Sequence, residues 1–333
     1  MSFSKPGESL AAREILDLIG DDLRRVEREI DLESMASVSA VTTISRYLSG
    51  NGGKRLRPIL LLLSARLTGK VSESAIRLGA VVEMIHTATL VHDDIIDVAE
   101  TRRGKPSTNV LFGNHTSVLA GDWLYMQAFS IALRERNFHV LDILIALTQM
   151  MVEGELIQLE RIGKIDVSEA DYMELVDRKT AGLFSACARL GAVIAGASDQ
   201  TEMKLADYAW NLGMAFQLID DVLDFTARET VLGKPVGGDL REGKVTLPLI
   251  YALQECRADE RGLIESVLAE RSYTTAPFHS VLSMMERNGG FSRARERAHH
   301  FADRARSIMG DFPDSPFQRA LYSVTDLVTE REF

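Results

Sequence analysis

A chain of 333 residues could form one large domain or two ordinary ones, and its 46% hydrophobic and 26% charged residues are globular values that argue against disorder. The net charge of −10 disfavours a protein that coats nucleic acid, because such affinity comes mainly from Lys and Arg neutralising phosphates. Two cysteines, Cys187 and Cys256, and an N-terminus (MSFSKPGESL) with neither a basic nor an apolar signal region point to a reducing, cytoplasmic setting. The longest purely apolar run, Pro58 to Leu63, falls short of the ~20 residues of a membrane-spanning helix, so no transmembrane segment is expected.

Proline is scarce, at eight residues, and apolar residues recur at three and four from Ser9 almost to Glu332. That period predicts an all-α fold, and the lack of a linker or low-complexity stretch predicts one domain over residues 1–333. An amphipathic helix is expected over Leu10 to Leu32, with Ile15, Leu18, Ile19, Leu23, Val26 and Ile30 on one face, to cap the fold or meet a partner subunit. The loop Ser49-Gly50-Asn51-Gly52-Gly53 then leads to Lys54-Arg55-Leu56-Arg57-Pro58, where Pro58 suits a first helical turn and Lys54 and Arg57 would project at a helix start.

The next helix, Ser72 to Asp97 with Ser72 as N-cap, carries an apolar face and ends in Asp93-Asp94-Ile95-Ile96-Asp97. After it Thr101-Arg102-Arg103-Gly104-Lys105-Pro106 breaks the helix and supplies three cations. Helices are expected at His115–Glu135, Val140–Arg161, Ser168–Ala195 and Gln200–Phe225, the last ending in Asp220-Asp221-Val222-Leu223-Asp224. The glycine-rich basic stretch from Leu232 to Lys244 reads as an active-site loop, and Thr246 to Phe333 is again helical.

Residues four apart share a helix face, so Asp93 pairs with Asp97 and Asp220 with Asp224, while Asp94 and Asp221 lie to the side. Bare carboxylates at the end of an apolar helix require a cation. All-oxygen donors without Cys or clustered His select Mg²⁺ or Mn²⁺ over Zn²⁺, and Mg²⁺ is commonly shared with a substrate phosphate. The surplus of cations, Lys54, Arg57, Arg102, Arg103, Lys179, Lys234 and Lys244, suits diphosphates, in one metal-bridged subsite and one held by Lys and Arg alone.

Taken together, Gly-Gly-Lys-Arg-Leu-Arg-Pro at 52–58, His86, the two aspartate-rich motifs, Arg102-Arg103, Lys179-Thr180, Phe216-Gln217 and Gly-Lys-Pro at 233–235 resemble the trans-isoprenyl diphosphate synthases, the polyprenyl synthetase family. The resemblance covers nearly the whole chain. It implies a bundle of ten or more helices around a central cavity, the isoprenoid synthase fold, usually as a homodimer. Three Mg²⁺ ions would be held by Asp93, Asp97 and Asp220, with Asp94, Asp221 and Asp224 close by. Arg102, Lys179 and Lys234 would contact the allylic diphosphate and Lys244 its allylic end, while Lys54, Arg57, His86 and Arg103 would form the isopentenyl diphosphate site. Thr180 and Gln217 match positions facing the developing carbocation. The implied reaction ionises an allylic diphosphate, adds isopentenyl diphosphate through its double bond, and passes a proton to the released diphosphate.

A terpene cyclase or head-to-head synthase of the same helical class would have little need for the second diphosphate site of Lys54, Arg57 and Arg103. A non-catalytic subunit would tend to lose one acidic motif, and both are intact. In this family bulky residues four and five positions before the first Asp stop chain growth, and here those positions are Thr89 and Ala88. Their small size implies a long product, octaprenyl to decaprenyl diphosphate, of the kind attached to ubiquinone, grown from farnesyl or geranylgeranyl diphosphate. A shorter product is the alternative. Met84, Met126 and Phe129 are the candidates for a deeper tunnel floor. So apolar a product leaves open a transient membrane contact at release. Replacing Ala88 with Phe is expected to shorten the product by several isoprene units; chromatographic sizing that shows no change would refute gating by this helix.

Overall fold

In the computed structural model, residues 10–50, 55–102, 104–227 and 236–330 are described. The helices are α1 (Ala12–Glu33), α2 (Ser39–Gly50), α3 (Leu56–Thr68), α4 (Glu73–Ile96), α5 (Thr108–Phe112), α6 (Asn114–Arg134), α7 (Phe138–Arg161) and α8 (Glu169–Val176). A π-helical turn (Asp177–Ala181) leads into α9 (Gly182–Ile194) and α10 (Asp199–Thr226). There follow α11 (Gly238–Arg241), α12 (Leu247–Glu255), α13 (Ala258–Glu270), α14 (Phe278–Arg287), α15 (Gly290–Gly310) and α16 (Pro316–Thr329). The only strands among the described residues, β1 (Thr101–Arg102) and β2 (Lys105–Pro106), form a two-residue antiparallel ladder, so the fold is all-α. The chain divides into two compact units. The first comprises Met1–Leu147, Leu183–Ala209 and Ser307–Val324, and the second Thr148–Gly182, Trp210–Arg306 and Thr325–Phe333.

The first unit is organised around α4. Ser72 caps it, its hydroxyl accepting from the Ala75 N–H at 3.3 Å, and Leu78, Val81, Val82, Met84, Ile85, Ala88 and Val91 are all buried. Such a helix is long and apolar enough to cross a membrane, yet 67% of its most apolar window is buried within the protein, as expected of a core helix. Helix α1 caps α3 and α4 with Ile15, Ile19, Val26 and Ile30. Gly79 permits the contact, because a Cβ there would lie 2.9 Å from Val26 Cγ2.

On the other side of α4 lies α6, and Gly121 is what lets His92 reach it: a Cβ at Gly121 would sit 2.4 Å from His92 Nε2. The imidazole lies 3.2 Å from the Val118 carbonyl and stacks on Tyr125, with ring centroids 5.9 Å apart. Buried Glu202 joins α7, α9 and α10 by accepting from His139 Nε2 and from Arg189 Nε and Nη2 at 2.8–3.1 Å. Burial alone would push the Glu202 carboxyl up, but these donors outweigh it and hold it below its ordinary value.

In the second unit Leu218, Ile219, Val222 and Phe225 of α10 are buried, with Phe225 against Phe291 at 6.1 Å. Buried Glu260 is held by the Arg257 N–H at 3.0 Å, by Asn288 and by Arg287, which lower its carboxyl to about 2.

Three features depart from the sequence reading. Helix α2 has no counterpart among the expected helices. The single helix expected over Ser168–Ala195 is interrupted by the π turn, where α7 passes so closely that a Cβ at Gly154 would lie 2.9 Å from Arg178 Cβ. The expected irregular loop before Lys244 contains the one-turn helix α11. Close approach also governs α9 on α3, since a Cβ at Gly191 would lie 2.3 Å from the Leu61 carbonyl oxygen. Gly191→Ala is therefore expected to cost about 1–3 kcal/mol through overpacking, and an unaltered denaturation midpoint would contradict this contact.

Candidate active site

Helix α4 ends on its acidic motif without a basic residue in its last turn, so Asp93, Asp94 and Asp97 stand at the negative end of the helix dipole. The Asp97 N–H donates to the Asp93 carbonyl at 2.8 Å, which keeps the helical turn intact and puts the two half-buried side chains on one side. Asp94 turns inward, 1% exposed, and accepts from Arg102 Nε at 2.6 Å. Its Oδ2 is buried with no hydrogen-bond partner among the described residues. Burial pushes the Asp94 carboxyl up and Arg102 opposes the shift. The β1–β2 hairpin holds Arg102 in place, pinned by Ser107 Oγ on the Ala99 carbonyl at 2.5 Å and by Tyr47 on the Pro106 carbonyl at 2.6 Å.

His86, Arg102 and Asp94 line a small pocket of about 40 Å³ together with Arg55, Glu83 and Thr87. Arg55, which the motif reading passed over, is a non-glycine residue in the left-handed region at the start of α3 (φ 50°), with Nη1 2.9 Å from Glu83 Oε1. Arg57 lies with its guanidinium carbon 5.5 Å from the centre of the Phe184 ring.

In the second unit the other motif closes α10, again with no basic residue in the last turn. A cavity of about 170 Å³ is lined by Tyr172, Lys179, Thr180, Gln217, Asp221, Asp239 and Lys244, so five residues singled out from the sequence converge there. Lys179 and Thr180 are carried by the π turn, a distortion frequent at functional sites. Lys179 Nζ is 2.6 Å from Glu155 Oε2, and Lys244 Nζ is 2.8 Å from Glu242 Oε2. Thr180 Oγ1 donates to Gln217 Oε1 at 2.8 Å, Gln217 Nε2 donates to Asp221 Oδ1 at 2.7 Å, and the Tyr172 hydroxyl donates to Asp221 Oδ2. Burial and neighbouring Asp239 push the Asp221 carboxyl well up, and burial and Asp221 do the same for the Tyr172 phenol.

Asp224 is also buried, its Oδ2 accepting from the Asp239 N–H at 3.1 Å and its carbonyl from the Gly237 N–H at 2.7 Å. Asp220 is the half-buried member of the motif. Among the described residues no three His, Cys, Asp or Glu side chains are assembled as a metal cage. Half-buried oxygen donors at a helix end instead fit a hard cation that takes further ligands from water and a diphosphate.

Lys54, Arg103 and Lys234 lie outside the described residues. Of the chain-length candidates, Ala88 and Met84 are buried in α4, Phe129 is half-buried, and Thr89 turns its hydroxyl back onto the His86 carbonyl at 2.7 Å. Met126 is 64% exposed, on the outward face of α6. Tyr172 was missed in the sequence because it stands in no aspartate-rich or basic motif, and Asp239, although inside the glycine-rich basic stretch, was not singled out there.

Comparison with known proteins agrees with this arrangement. The polyprenyl synthetase family pattern matches residues 38–285. The octaprenyl diphosphate synthase of Escherichia coli (strain K12) is 36% identical over 318 residues, covering 96% of this chain and 98% of that one. The geranylgeranyl diphosphate synthase of Sulfolobus acidocaldarius is 43% identical over 235 residues, covering 68% and 71%. Among solved structures, a polyprenyl synthase from Caulobacter crescentus CB15 complexed with calcium and isoprenyl diphosphate superposes with a TM-score of 0.93 at 35% identity, covering 98% of this chain and 100% of that one.

The Arg102–Asp94 pair makes a direct prediction. Arg102→Ala strands a buried carboxylate, and chemical denaturation should register a loss of roughly 3 kcal/mol at neutral pH. The loss should shrink in the double variant with Asp94→Leu; equal losses in both would refute the pairing.

Proposed function

Because the chain belongs to the polyprenyl synthetase family, we propose that it lengthens an allylic diphosphate by head-to-tail addition of isopentenyl diphosphate, to a long-chain polyprenyl diphosphate. It is a prenyl-transferring enzyme. The observation that carries the reading is the convergence of Lys179, Thr180, Gln217, Asp221 and Lys244 on one cavity.

In this reading Asp93, Asp97 and Asp220 hold Mg²⁺, three ions in all. Asp94, Asp221 and Asp224 support the motif from behind, consistent with their burial. Bound Mg²⁺ would neutralise charge building on the departing diphosphate. Arg102, Lys179 and Lys234 grip that diphosphate, and Lys244 stands toward its allylic end. The allylic C–O bond breaks with its electron pair leaving on diphosphate. Thr180 and Gln217 turn oxygen atoms toward the resulting cation. Lys54, Arg57, His86 and Arg103 hold isopentenyl diphosphate, whose double bond supplies the electron pair of the new C–C bond, and the proton then lost passes to the released diphosphate.

A long product, for a quinone side chain, and a farnesyl or geranylgeranyl starter fit the small Ala88 and Thr89. The geranylgeranyl relative favours the shorter-chain alternative. A homodimer is supported by apolar side chains that α6 and α7 leave exposed at seven-residue intervals, Leu119, Met126 and Leu133 on one and Phe138, Ile145, Val152 and Leu159 on the other. The one-domain reading of residues 1–333 and a cytoplasmic setting belong to the same proposal. Both cysteines are free thiols, in keeping with a reducing compartment.

One preparation tests these points. The isolated protein, given farnesyl diphosphate, isopentenyl diphosphate and Mg²⁺, should yield octaprenyl or longer diphosphate, lose turnover in EDTA, and scatter light as a dimer. A fifteen- or twenty-carbon product would overturn the long-chain assignment, no turnover the catalytic one, and a monomeric mass the dimer.

A further inference from the structure

The hydrogen-bonded series Thr180, Gln217, Asp221, Tyr172 has a polarity that Thr180 and Gln217 cannot set between them. A primary amide can present either end, and a threonine hydroxyl accepts as readily as it donates, so their contact at 2.8 Å is compatible with both orientations of the amide. Asp221 removes the choice. Gln217 donates through Nε2 to Asp221 Oδ1 at 2.7 Å, so its NH₂ group lies at the Asp221 end and Oε1 falls at the Thr180 end. The remaining oxygen, Oδ2, is held by the Tyr172 hydroxyl. Tyr172 and Asp221 are 4% and 3% exposed, so the pair is largely removed from bulk solvent.

The two ends of the amide are electrostatically opposite, and a developing carbocation is stabilised only by the oxygen end. We propose that Tyr172, a residue outside every recognised motif, is a positioning residue: by donating to Asp221 it fixes the Gln217 amide with its carbonyl oxygen toward Thr180, where the allylic cation forms. This rests on the reading that Thr180 and Gln217 face that cation. Without the phenol, Asp221 loses the donor that holds its carboxylate in register. The Gln217 amide is then free to turn its N–H groups toward the positive charge. A merely packing role for Tyr172 would be filled equally well by phenylalanine.

The experiment compares two non-reacting ligands by calorimetry in Mg²⁺, for wild type and Tyr172→Phe. One is an allylic diphosphate analogue with a protonated amine at the cationic carbon; the other is an uncharged allylic thiolodiphosphate. Wild type should prefer the charged analogue. Tyr172→Phe should lose about tenfold on the charged analogue, the loss of one oriented dipole's worth of binding, while the thiolodiphosphate affinity stays within about twofold and so reports an intact fold. An unchanged ratio between the two ligands in Tyr172→Phe overturns the positioning role. Equal affinities in wild type would overturn the cation-facing reading and this proposal with it. If Tyr172→Phe does not fold, Asp221→Asn carries the same test, since an asparagine that accepts from Tyr172 turns its own NH₂ toward Gln217 and reverses the amide. The charged-to-neutral ratio should then fall in the same way, and a ratio equal to that of wild type overturns the role.

Discussion

Two helices that end in acid at the wrong pole govern this molecule. The C-terminus of a helix is already negative, and α4 and α10 each add three carboxylates there with no lysine or arginine in the last turn. Such a placement cannot be explained as helix stabilisation. The fold divides the burden: Asp94, Asp221 and Asp224 are buried and taken up by Arg102, by Tyr172 and Gln217, and by the Asp239 N–H respectively. Asp93, Asp97 and Asp220 remain half-buried, within reach of ligands. One motif thus divides in two, with inner aspartates bracing the helix end and outer ones left half-buried for the metal role proposed above.

What could be read from the sequence follows from this division. Period and capping are local, so Ser72, the apolar length of α4 and the all-α class were legible. The side-by-side placement of Asp93 and Asp97 follows from helix geometry alone. The convergence of Lys179, Thr180, Gln217 and Lys244 was legible only through resemblance to the family, because no spacing rule joins residues that far apart. Tyr172 was not legible at all. A lone tyrosine in an amphipathic segment reads as packing, and its hydroxyl gains meaning only when α10 delivers Asp221 to it.

The π turn at Asp177–Ala181 illustrates how irregularity and use coincide. Hydrophobic periodicity runs through it, so the stretch passes for one long helix, yet the wider turn is where Lys179 and Thr180 leave the regular ladder. Gly154 and Gly182 admit a neighbour close enough that a methyl group at either would overlap it. The cavity therefore depends on two residues that do not line it.

The cations singled out in each unit are already paired. Lys179 rests on Glu155, Lys244 on Glu242 and Arg102 on Asp94. Under the proposed function a diphosphate bound by any of these cations would displace or share an existing partner, so its net attraction would be the difference between two ion pairs rather than the whole of one. In the proposed reaction, where a diphosphate must leave after every added unit, such internal counter-ions would work as a return spring, limiting the depth of the anion well and re-forming as the leaving group departs.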